Sequence, residues 1–374
     1  MELMDPTNGD EKKKRFQEAF ERGRDGHVGS YNVWLENHGF DPSRVDRDKV
    51  TEFFRENPTK SVNQDDVTDI AEYAGFVTTR QDLHHIPVIG PSGIGKTQLL
   101  HTVIGLLSEV DDDIDTKLLE ANRLGKKTED GFLLDEYSRQ IAELTTPIVC
   151  IDDCGLDKRI RTSLRELRDA VDAGLFVTTW TPERWGVNQD QVRDVFSPAK
   201  EVHLRSFTQS ETKGTLRVIY DYISQDNFAL PSKTEERIHE LSDGIPRLIH
   251  LLALESLREA YHKELVPGHI SATDAAADRL NLSNASARVQ DLSEARLTVL
   301  KQILQLPDER GVQPGTLVDE LHRDKSTISY HLRELNEIGF VERDRKGRRA
   351  FYRVTETIEP LVQRRISQEA EYNA

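Results

Sequence analysis

Gly90-Pro91-Ser92-Gly93-Ile94-Gly95-Lys96-Thr97 is the stretch of sequence that decides the fold. It matches G-x-x-x-x-G-K-[ST], the pattern of a phosphate-binding loop, in which glycines let successive main-chain N–H groups face phosphate oxygens. The flanking runs predict a strand over residues 86–89 and a helix over residues 98–104, which is the setting that the motif requires. A chance glycine-rich turn before a helix is the alternative, and the flanking pattern disfavours it.

The loop predicts a binding site for a nucleoside triphosphate with Mg²⁺. Lys96 is expected to reach the β- and γ-phosphates, and the Thr97 hydroxyl is expected to ligate Mg²⁺. The N-terminus of the following helix adds a partial positive charge. The residues of this segment that we expect to contact the nucleotide are Gly90, Pro91, Ser92, Gly93, Ile94, Gly95, Lys96, Thr97 and Gln98. Pro87 fits this interpretation poorly, because proline lacks an N–H group and is tolerated mainly near the start of a strand.

A second apolar run, residues 147–151, ends in Asp152 and Asp153. Asp152 is expected to hold Mg²⁺ opposite Thr97, and Asp153 to orient or deprotonate the attacking water. Two surface aspartates that close a strand are the alternative. Strand-like runs at 174–179 and 201–204 alternate with helical patterns, which predicts a parallel sheet with helices on both faces.

The loop, the acid pair and later signals resemble the AAA+ ATPases, especially the branch of archaeal and eukaryotic replication initiators of the origin-recognition type. The resemblance covers roughly residues 85–280 and implies an ATPase that uses ATP and Mg²⁺. It assigns Thr179, at the end of the next strand, as a sensor of the γ-phosphate. It assigns Arg193 as an arginine that acts on the nucleotide of a neighbouring subunit, which implies self-association. It also assigns Arg247, in Gly-Ile-Pro-Arg at 244–247, as a second sensor of the nucleotide, at the start of a lid helix.

One departure from that family concerns the catalytic carboxylate. The family usually has glutamate after the first aspartate, and this chain has Asp153. A shorter side chain holds the base further from the water, so slow hydrolysis is expected. The Asp-Asp pair also resembles signalling NTPases that hold a nucleotide as a switch.

Residues 291–356 predict three helices and a basic hairpin, and they resemble a winged helix of the MarR or ArsR kind. In the third helix Ile328, Leu332 and Leu335 share one face at helical spacing and are expected in the core. The hairpin at 341–353 holds six basic residues against two acidic ones, which favours contact with a phosphate backbone. A winged helix reused for protein contact is the alternative. The residues expected to contact double-stranded DNA are Lys325, Ser326, Thr327, Tyr330, His331, Arg333, Arg343, Arg345, Lys346, Arg348 and Arg349.

Composition narrows the class of protein. The 374 residues carry 66 acidic and 50 basic side chains, a net charge of −16, which argues against a protein that coats nucleic acid nonspecifically. Acidic excess with only 17 lysines suits a halophilic cytosol, and an ordinary acidic cytosolic protein is an equal alternative. The two cysteines, Cys150 and Cys154, exclude a disulfide framework and are expected to be reduced. A polar N-terminus and the lack of an apolar run of roughly 18 residues predict a cytoplasmic protein without a membrane span.

These patterns predict an α/β P-loop NTPase of the AAA+ type with a helical lid and a C-terminal winged-helix domain. The expected division is an N-terminal region of unassigned role at 1–62, an ATPase core at 63–206, a helical lid at 207–285 and a winged-helix domain at 286–374. The leading functional hypothesis is a site-specific DNA-binding ATPase of replication-initiator type, in which nucleotide state controls the grip on DNA. The alternatives are a nucleotide-switched transcription regulator and an ATP-dependent targeting partner of a transposase or helicase.

Overall fold

A computed structural model describes most of the chain. The described residues are 30–60, 64–111, 114–128, 131–154, 159–197, 200–225, 227–306, 310–347 and 349–372. Arg348, one of the predicted DNA contacts, lies outside these residues, as do residues 1–29 of the N-terminal region.

A five-stranded parallel sheet lies at the centre of the predicted ATPase core, with the strand order β2-β5-β6-β1-β7. The strands are β1 (Leu83–Ile89), β2 (Thr116–Glu120), β5 (Ile148–Asp152), β6 (Gly174–Trp180) and β7 (Val202–His203), and a short hairpin pairs β3 (Lys127–Thr128) with β4 (Gly131–Phe132). Four strands of the sheet were predicted from apolar runs. The edge strand β2 was not, because its sequence, Thr-Lys-Leu-Leu-Glu, has only two apolar residues.

Helices cover both faces of the sheet, as the alternating pattern predicted. They are α3 (Gln64–Arg80), α4 (Lys96–Val110), α5 (Ala121–Leu124), α6 (Leu133–Ala142), α7 (Ile160–Asp169) and α8 (Pro182–Arg193). Neighbouring residues of a strand point to opposite faces, so Val88 packs in one buried cluster with Leu99 of α4, and Ile89 packs in a second with Trp185 of α8. The two clusters hold the loop between β1 and α4 at the carboxyl edge of the sheet.

Pro87 lies inside β1 and not at its start, contrary to the expectation for a proline. The hydrogen bonds around it explain how the strand accepts it. The Gly90 N–H donates to Trp180 O of β6, whereas Ile89 O accepts from Leu204 N–H beside β7. Since successive residues of a strand face opposite neighbours, Pro87 faces the side of β7, where pairing begins only at Val88.

A group of helices follows the sheet. A helix at 30–37 (α1) and α2 (Arg47–Glu56) precede the core and pack on this later group. The later helices are α9 (Gln209–Ile223), α10 (Ser232–Ser242), α11 (Pro246–His262), α12 (Ile270–Arg279) and α13 (Ala285–Gln290). Thr208 and Glu211 form a capping box that begins α9. One continuous buried cluster includes Phe54 of α2 and Leu248 of α11, so these elements pack as one unit.

The C-terminal part has the arrangement of a winged helix. Its elements are α14 (Glu294–Gln305), α15 (Pro314–Leu321), α16 (Lys325–Glu337), β8 (Val341–Lys346), β9 (Arg349–Val354) and α17 (Glu359–Tyr372). The strands β8 and β9 form an antiparallel hairpin, and Val312 pairs with Tyr352 beside it. Ile328, Leu332 and Leu335 are buried, as their spacing predicted. Helix α17 was not predicted, and it packs against α8 of the core.

Candidate nucleotide site and winged-helix face

The phosphate-binding loop, the acid pair and Thr179 meet at the carboxyl edge of the sheet. They meet because β6 lies between β1 and β5, so the ends of these three strands are neighbours. Asp152 accepts two hydrogen bonds there, from the Thr97 hydroxyl at 2.6 Å and from the Thr179 hydroxyl at 2.6 Å. The Asp153 N–H donates to the Thr179 hydroxyl oxygen at 2.8 Å. Thr179 therefore orients both aspartates.

Glycine is required in the loop where the lid helix approaches it. Gly93 has a φ of +73°, and a Cβ at this position would lie 2.6 Å from the Cβ of Arg247. The Arg247 N–H donates to Gly93 O at 3.1 Å, which ties the first turn of α11 to the loop. The predicted lid arginine thus lies against the predicted phosphate site.

The ammonium group of Lys96 is bound by carbonyl oxygens of its own loop. Its Nζ donates to Gly90 O at 2.7 Å and to Pro91 O at 2.9 Å, both in its own loop. Burial lowers the pKa of Lys96 to about 8, although Asp153 and Asp152 act in the opposite direction. Two carbonyl oxygens do not offset the cost of burying the ammonium group, whereas phosphate oxygens would.

Asp153 has a partner that was not predicted from the sequence. Arg184, in the first turn of α8, donates from Nη1 to Asp153 Oδ1 at 3.0 Å, and its side chain is only 16% exposed. The sequence contained one indication of this partner, which is the position of Arg184 in the first turn of a helix. A helix N-terminus disfavours a cation unless an anion lies nearby. The backbone of Asp153 is left-handed, with φ of 55°, so the extended conformation of β5 ends before it.

A cavity of about 570 Å³ opens above the loop, between the sheet and the lid. Helix α2 forms one wall, which gives part of the unassigned N-terminal region a place at the site. The rings of Phe54 and His250 stack there with centroids 5.2 Å apart, and burial lowers the pKa of His250 to about 4. Described residues of the wall and floor include Arg47, Thr51, Phe54, Ser92, Gly93, Gly95, Lys96, Thr97, Gln98, Asp152, Asp153, Arg184, Arg247 and His250.

Arg193 lies apart from this cavity, at the C-terminal end of α8. Its side chain is about half exposed, and its Nη2 donates to Glu201 Oε1 at 2.9 Å. An arginine that acts on a neighbouring subunit has to lie outside its own site. The role in a second subunit stays a prediction.

The predicted DNA face is largely exposed. Lys325, Tyr330 and Arg333 of α16 reach solvent, as do the hairpin residues Arg343, Arg345, Lys346 and Arg349. Thr327 and Ser326 are engaged in capping α16, since both hydroxyls donate to the carboxylate of Asp324. These hydrogen bonds hold the pKa of Asp324 well below its usual value.

His331 and Thr327 are partly buried, unlike the other predicted DNA contacts among the described residues. The Nδ1 of His331 is buried and, among the described residues, has no hydrogen-bond partner. Its ring lies beside that of Tyr330, which is 47% exposed. Tyr330 is therefore better placed than His331 to reach a partner.

Comparisons with known proteins agree with this geometry. No family model matches the sequence. The structure of the ORC1 protein from Aeropyrum pernix in complex with DNA superimposes with a TM-score of 0.50 at 13% identity, over 83% of this chain and 94% of that chain. The chain has the AAA+ ATPase fold. It resembles the origin-recognition proteins in that fold.

Two curated relatives match the sequence at low identity, one over most of the chain and one over about a third of it. The Holliday junction branch migration complex subunit RuvB of Phytoplasma mali is 22% identical over 291 residues, 72% of this chain and 80% of that protein. An uncharacterized HTH-type transcriptional regulator of Methanocaldococcus jannaschii is 26% identical over 132 residues. That match covers 34% of this chain and 32% of the relative, so the chain spans about a third of the relative's length. Within the described residues, each helix is too short or too polar to cross a membrane.

Proposed function

We propose that this protein binds and slowly hydrolyses ATP, binds double-stranded DNA at specific sites in the manner of a replication initiator, and couples the two activities. The observation that supports it most is a direct contact between the phosphate-binding loop and the C-terminal helix α17. The Ser92 N–H of the phosphate-binding loop donates to Gln363 Oε1 of α17, the helix that follows the winged-helix hairpin. A ligand that acts on the loop therefore acts on the segment that holds the DNA-binding module.

The residues around the cavity suit a triphosphate with Mg²⁺. Lys96 and Arg247 would supply positive charge, and the N–H groups of the loop would face phosphate oxygens. Mg²⁺ prefers oxygen ligands, and the Thr97 hydroxyl and the Asp152 carboxylate lie together at 2.6 Å as a ready pair of such ligands. Mg²⁺ held by this pair would offset negative charge on the phosphates.

Hydrolysis would depend on Asp153 as the group that orients or deprotonates water. Its Oδ1 accepts a hydrogen bond from Arg184 Nη1 at 3.0 Å, so this oxygen already has a partner and is less available to hold water. This pairing supports slow turnover, as does the short aspartate side chain. Arg193 would act from a neighbouring subunit, and an arginine supplied in this way is worth about 10³ to 10⁵ in rate.

Double-stranded DNA is the proposed partner of the winged helix. Support comes from the exposed basic hairpin and from the exposed face of α16, a helix of the kind that enters a major groove. The Methanocaldococcus jannaschii relative is described as an HTH-type regulator, and the Aeropyrum pernix ORC1 structure holds DNA. Both likenesses make DNA the first ligand to test.

The coupling is tested by reciprocity. Linkage requires that ATP change the affinity for DNA by the same factor by which DNA changes the affinity for ATP. We expect a labelled duplex drawn from the DNA around the protein's own gene to bind with an ATP-dependent affinity in an anisotropy titration. Lys96→Ala should remove the ATP effect and leave DNA binding. An affinity for DNA that ATP does not change at any salt concentration would contradict the proposal.

A nucleotide-switched transcription regulator is the second candidate, and the Asp153–Arg184 ion pair favours it. A switch holds its nucleotide tightly and hydrolyses it negligibly, at a rate that does not depend on protein concentration. An ATPase completed by Arg193 of a neighbour has a specific activity that rises with protein concentration and falls in Arg193→Ala. Steady-state turnover measured over a range of protein concentrations, with and without DNA, separates the two.

A further inference from the structure

A carboxylate from the C-terminal part of the chain reaches the nucleotide cavity. Glu356 lies in the turn between the winged-helix hairpin and α17. Arg47 of α2 holds it with both terminal nitrogens, and the Nη1–Oε2 distance is 3.1 Å. Arg247 Nη1 lies 3.9 Å from Glu356 Oε1. Arg47 in particular, and Arg247 to a smaller extent, hold the pKa of Glu356 below its usual value.

The two arginines that Glu356 contacts both line the cavity. Each lies in the first turn of its helix, Arg47 in α2 and Arg247 in α11. A helix N-terminus carries partial positive charge, so a cation there is disfavoured unless an anion compensates it. Arginine stays charged at any ordinary pH. Both positions therefore call for an anion, and Glu356 supplies it in this structure.

Glu356 is held at the site by the helix that follows it. Gln363 of α17 is 1% exposed, accepts from the Ser92 N–H at 2.5 Å and donates to Glu183 Oε1 at 3.1 Å. At the other side of α17, Arg365 donates to the carbonyl oxygens of Val289 and Leu292 at 2.6 and 3.0 Å. Helix α17 is thus fixed both to the phosphate-binding loop and to the segment before the winged helix.

We propose that Glu356 competes with the phosphates of a nucleoside triphosphate for Arg47 and Arg247. This inference rests on the proposed function and identifies how the cavity controls the winged helix. Phosphates beside Lys96 would bring negative charge to the same two guanidinium groups and would repel the carboxylate. Nucleotide binding then weakens the ion pairs that attach Glu356, in the turn after the hairpin, to α2 and α11. The winged helix changes its position relative to the core as a result.

Glu356→Gln in the full chain tests the competition. The amide keeps the size of the side chain and removes its charge, and the side chain is half exposed, so the fold should tolerate it. We expect the affinity for ATP with Mg²⁺, measured by calorimetry, to rise about fivefold, because an exposed ion pair of this kind no longer has to be broken. A role in structure alone would leave that affinity unchanged or lower it.

Glu342→Gln is the matched control, because Glu342 is an exposed glutamate paired with an arginine of the same hairpin, Arg353, remote from the cavity. Its affinity for ATP should equal that of the unmodified protein. When Arg47→Gln is already present, Glu356→Gln should raise the affinity for ATP little or not at all. The guanidinium group for which the carboxylate and the phosphates compete is then absent.

The outcomes separate this inference from the proposed function. An unmodified chain that takes up no ATP overturns both. If the unmodified chain binds ATP, and ATP changes its affinity for DNA, while Glu356→Gln binds ATP no more tightly, only the competition is overturned. A tighter Glu356→Gln variant in which ATP has less effect on DNA affinity supports the competition and its link to the winged helix.

Discussion

Replacing Gln363 with leucine should disconnect the two predicted sites without removing either one. The side chain makes three hydrogen bonds, accepting from the Ser92 N–H and donating to the carboxylates of Glu183 and Glu359. Leucine has a similar volume and lacks polar atoms, so α17 can still pack against α8. What is lost is the polar link between the phosphate-binding loop and the C-terminal helix.

The size of the effect follows from burial. Gln363 is 1% exposed and Glu183 is 3% exposed, so the Glu183 carboxylate loses a partner where water cannot replace it. The half-buried Ser92 N–H also loses its partner, at the edge of the cavity. Each such loss costs about 1–3 kcal/mol. A buried leucine offsets part of this by about 2 kcal/mol. The attachment of α17 to the loop is therefore weakened by a net of about 2 kcal/mol. ATP can change the affinity for DNA through this contact by at most the equivalent factor, roughly thirtyfold.

The assay is the affinity for a labelled duplex, measured by anisotropy with and without ATP and Mg²⁺. We expect the ratio of the two affinities to fall toward one in Gln363→Leu, while ATP alone and DNA alone still bind. Gln368→Leu is the control, because it makes the same change on an exposed position of the same helix. Its ratio should equal that of the unmodified protein.

One result would contradict this prediction. The unmodified protein would bind DNA with an affinity that ATP clearly changes, and Gln363→Leu would show the same ATP effect in full. Coupling would then pass through the lid alone, by way of Arg247 on Gly93. An equal loss in Gln368→Leu would also refute it, because general damage to α17 would then explain the result.

The remaining predictions concern the site and the hairpin. Burial holds the pKa of Lys96 at about 8, so its charge is lost as the pH rises from 7 to 9, and calorimetry should show the affinity for ATP falling by up to roughly tenfold. Lys96→Arg stays charged, and any affinity it retains should be flat over that range. Arg184→Ala frees the Asp153 carboxylate from its ion pair, so steady-state turnover should rise by up to about fivefold, and unchanged turnover would exclude a restraining role for this contact. Replacing Arg345, Lys346 and Arg349 with alanine should weaken DNA binding and flatten the plot of log affinity against log salt by about 3, and an unchanged slope would indicate a wing that contacts protein.

The strands and helices that carry strong local patterns were predicted correctly from the sequence. The loop at 90–97, the buried strand that ends at Asp152, the helix that begins at Pro246 and the C-terminal helix α16 all lie where the pattern predicted. Each depends on residues close together in the chain, so composition and spacing are enough to reveal it. The edge strand β2 and helix α17 were missed, because their stability comes from neighbours and their own sequences show a weak period.

Within the candidate site, the residues of known motifs were predicted and their partners were not. Thr97, Asp152 and Thr179 come together because parallel strands place their carboxyl ends at one edge, and the roles assigned to them stay predictions. Arg184 and Arg47 were missed, since the residues around them match no motif and only their place in the first turn of a helix indicated a nearby anion. The DNA contacts, the division into domains and the role of Arg193 in a second subunit stay predictions.

The sequence by itself determined that the chain carries a phosphate-binding loop, a carboxylate pair and three helices with a basic hairpin. Only the tertiary structure decided that these parts touch. The Ser92–Gln363 hydrogen bond joins residues 271 positions apart, and the Arg47–Glu356 pair joins residues 309 apart. Such partners cannot be predicted from the local sequence, because the packing of α17 against α8 and of α2 against the lid brings them together. That packing depends on the free energy of the whole chain.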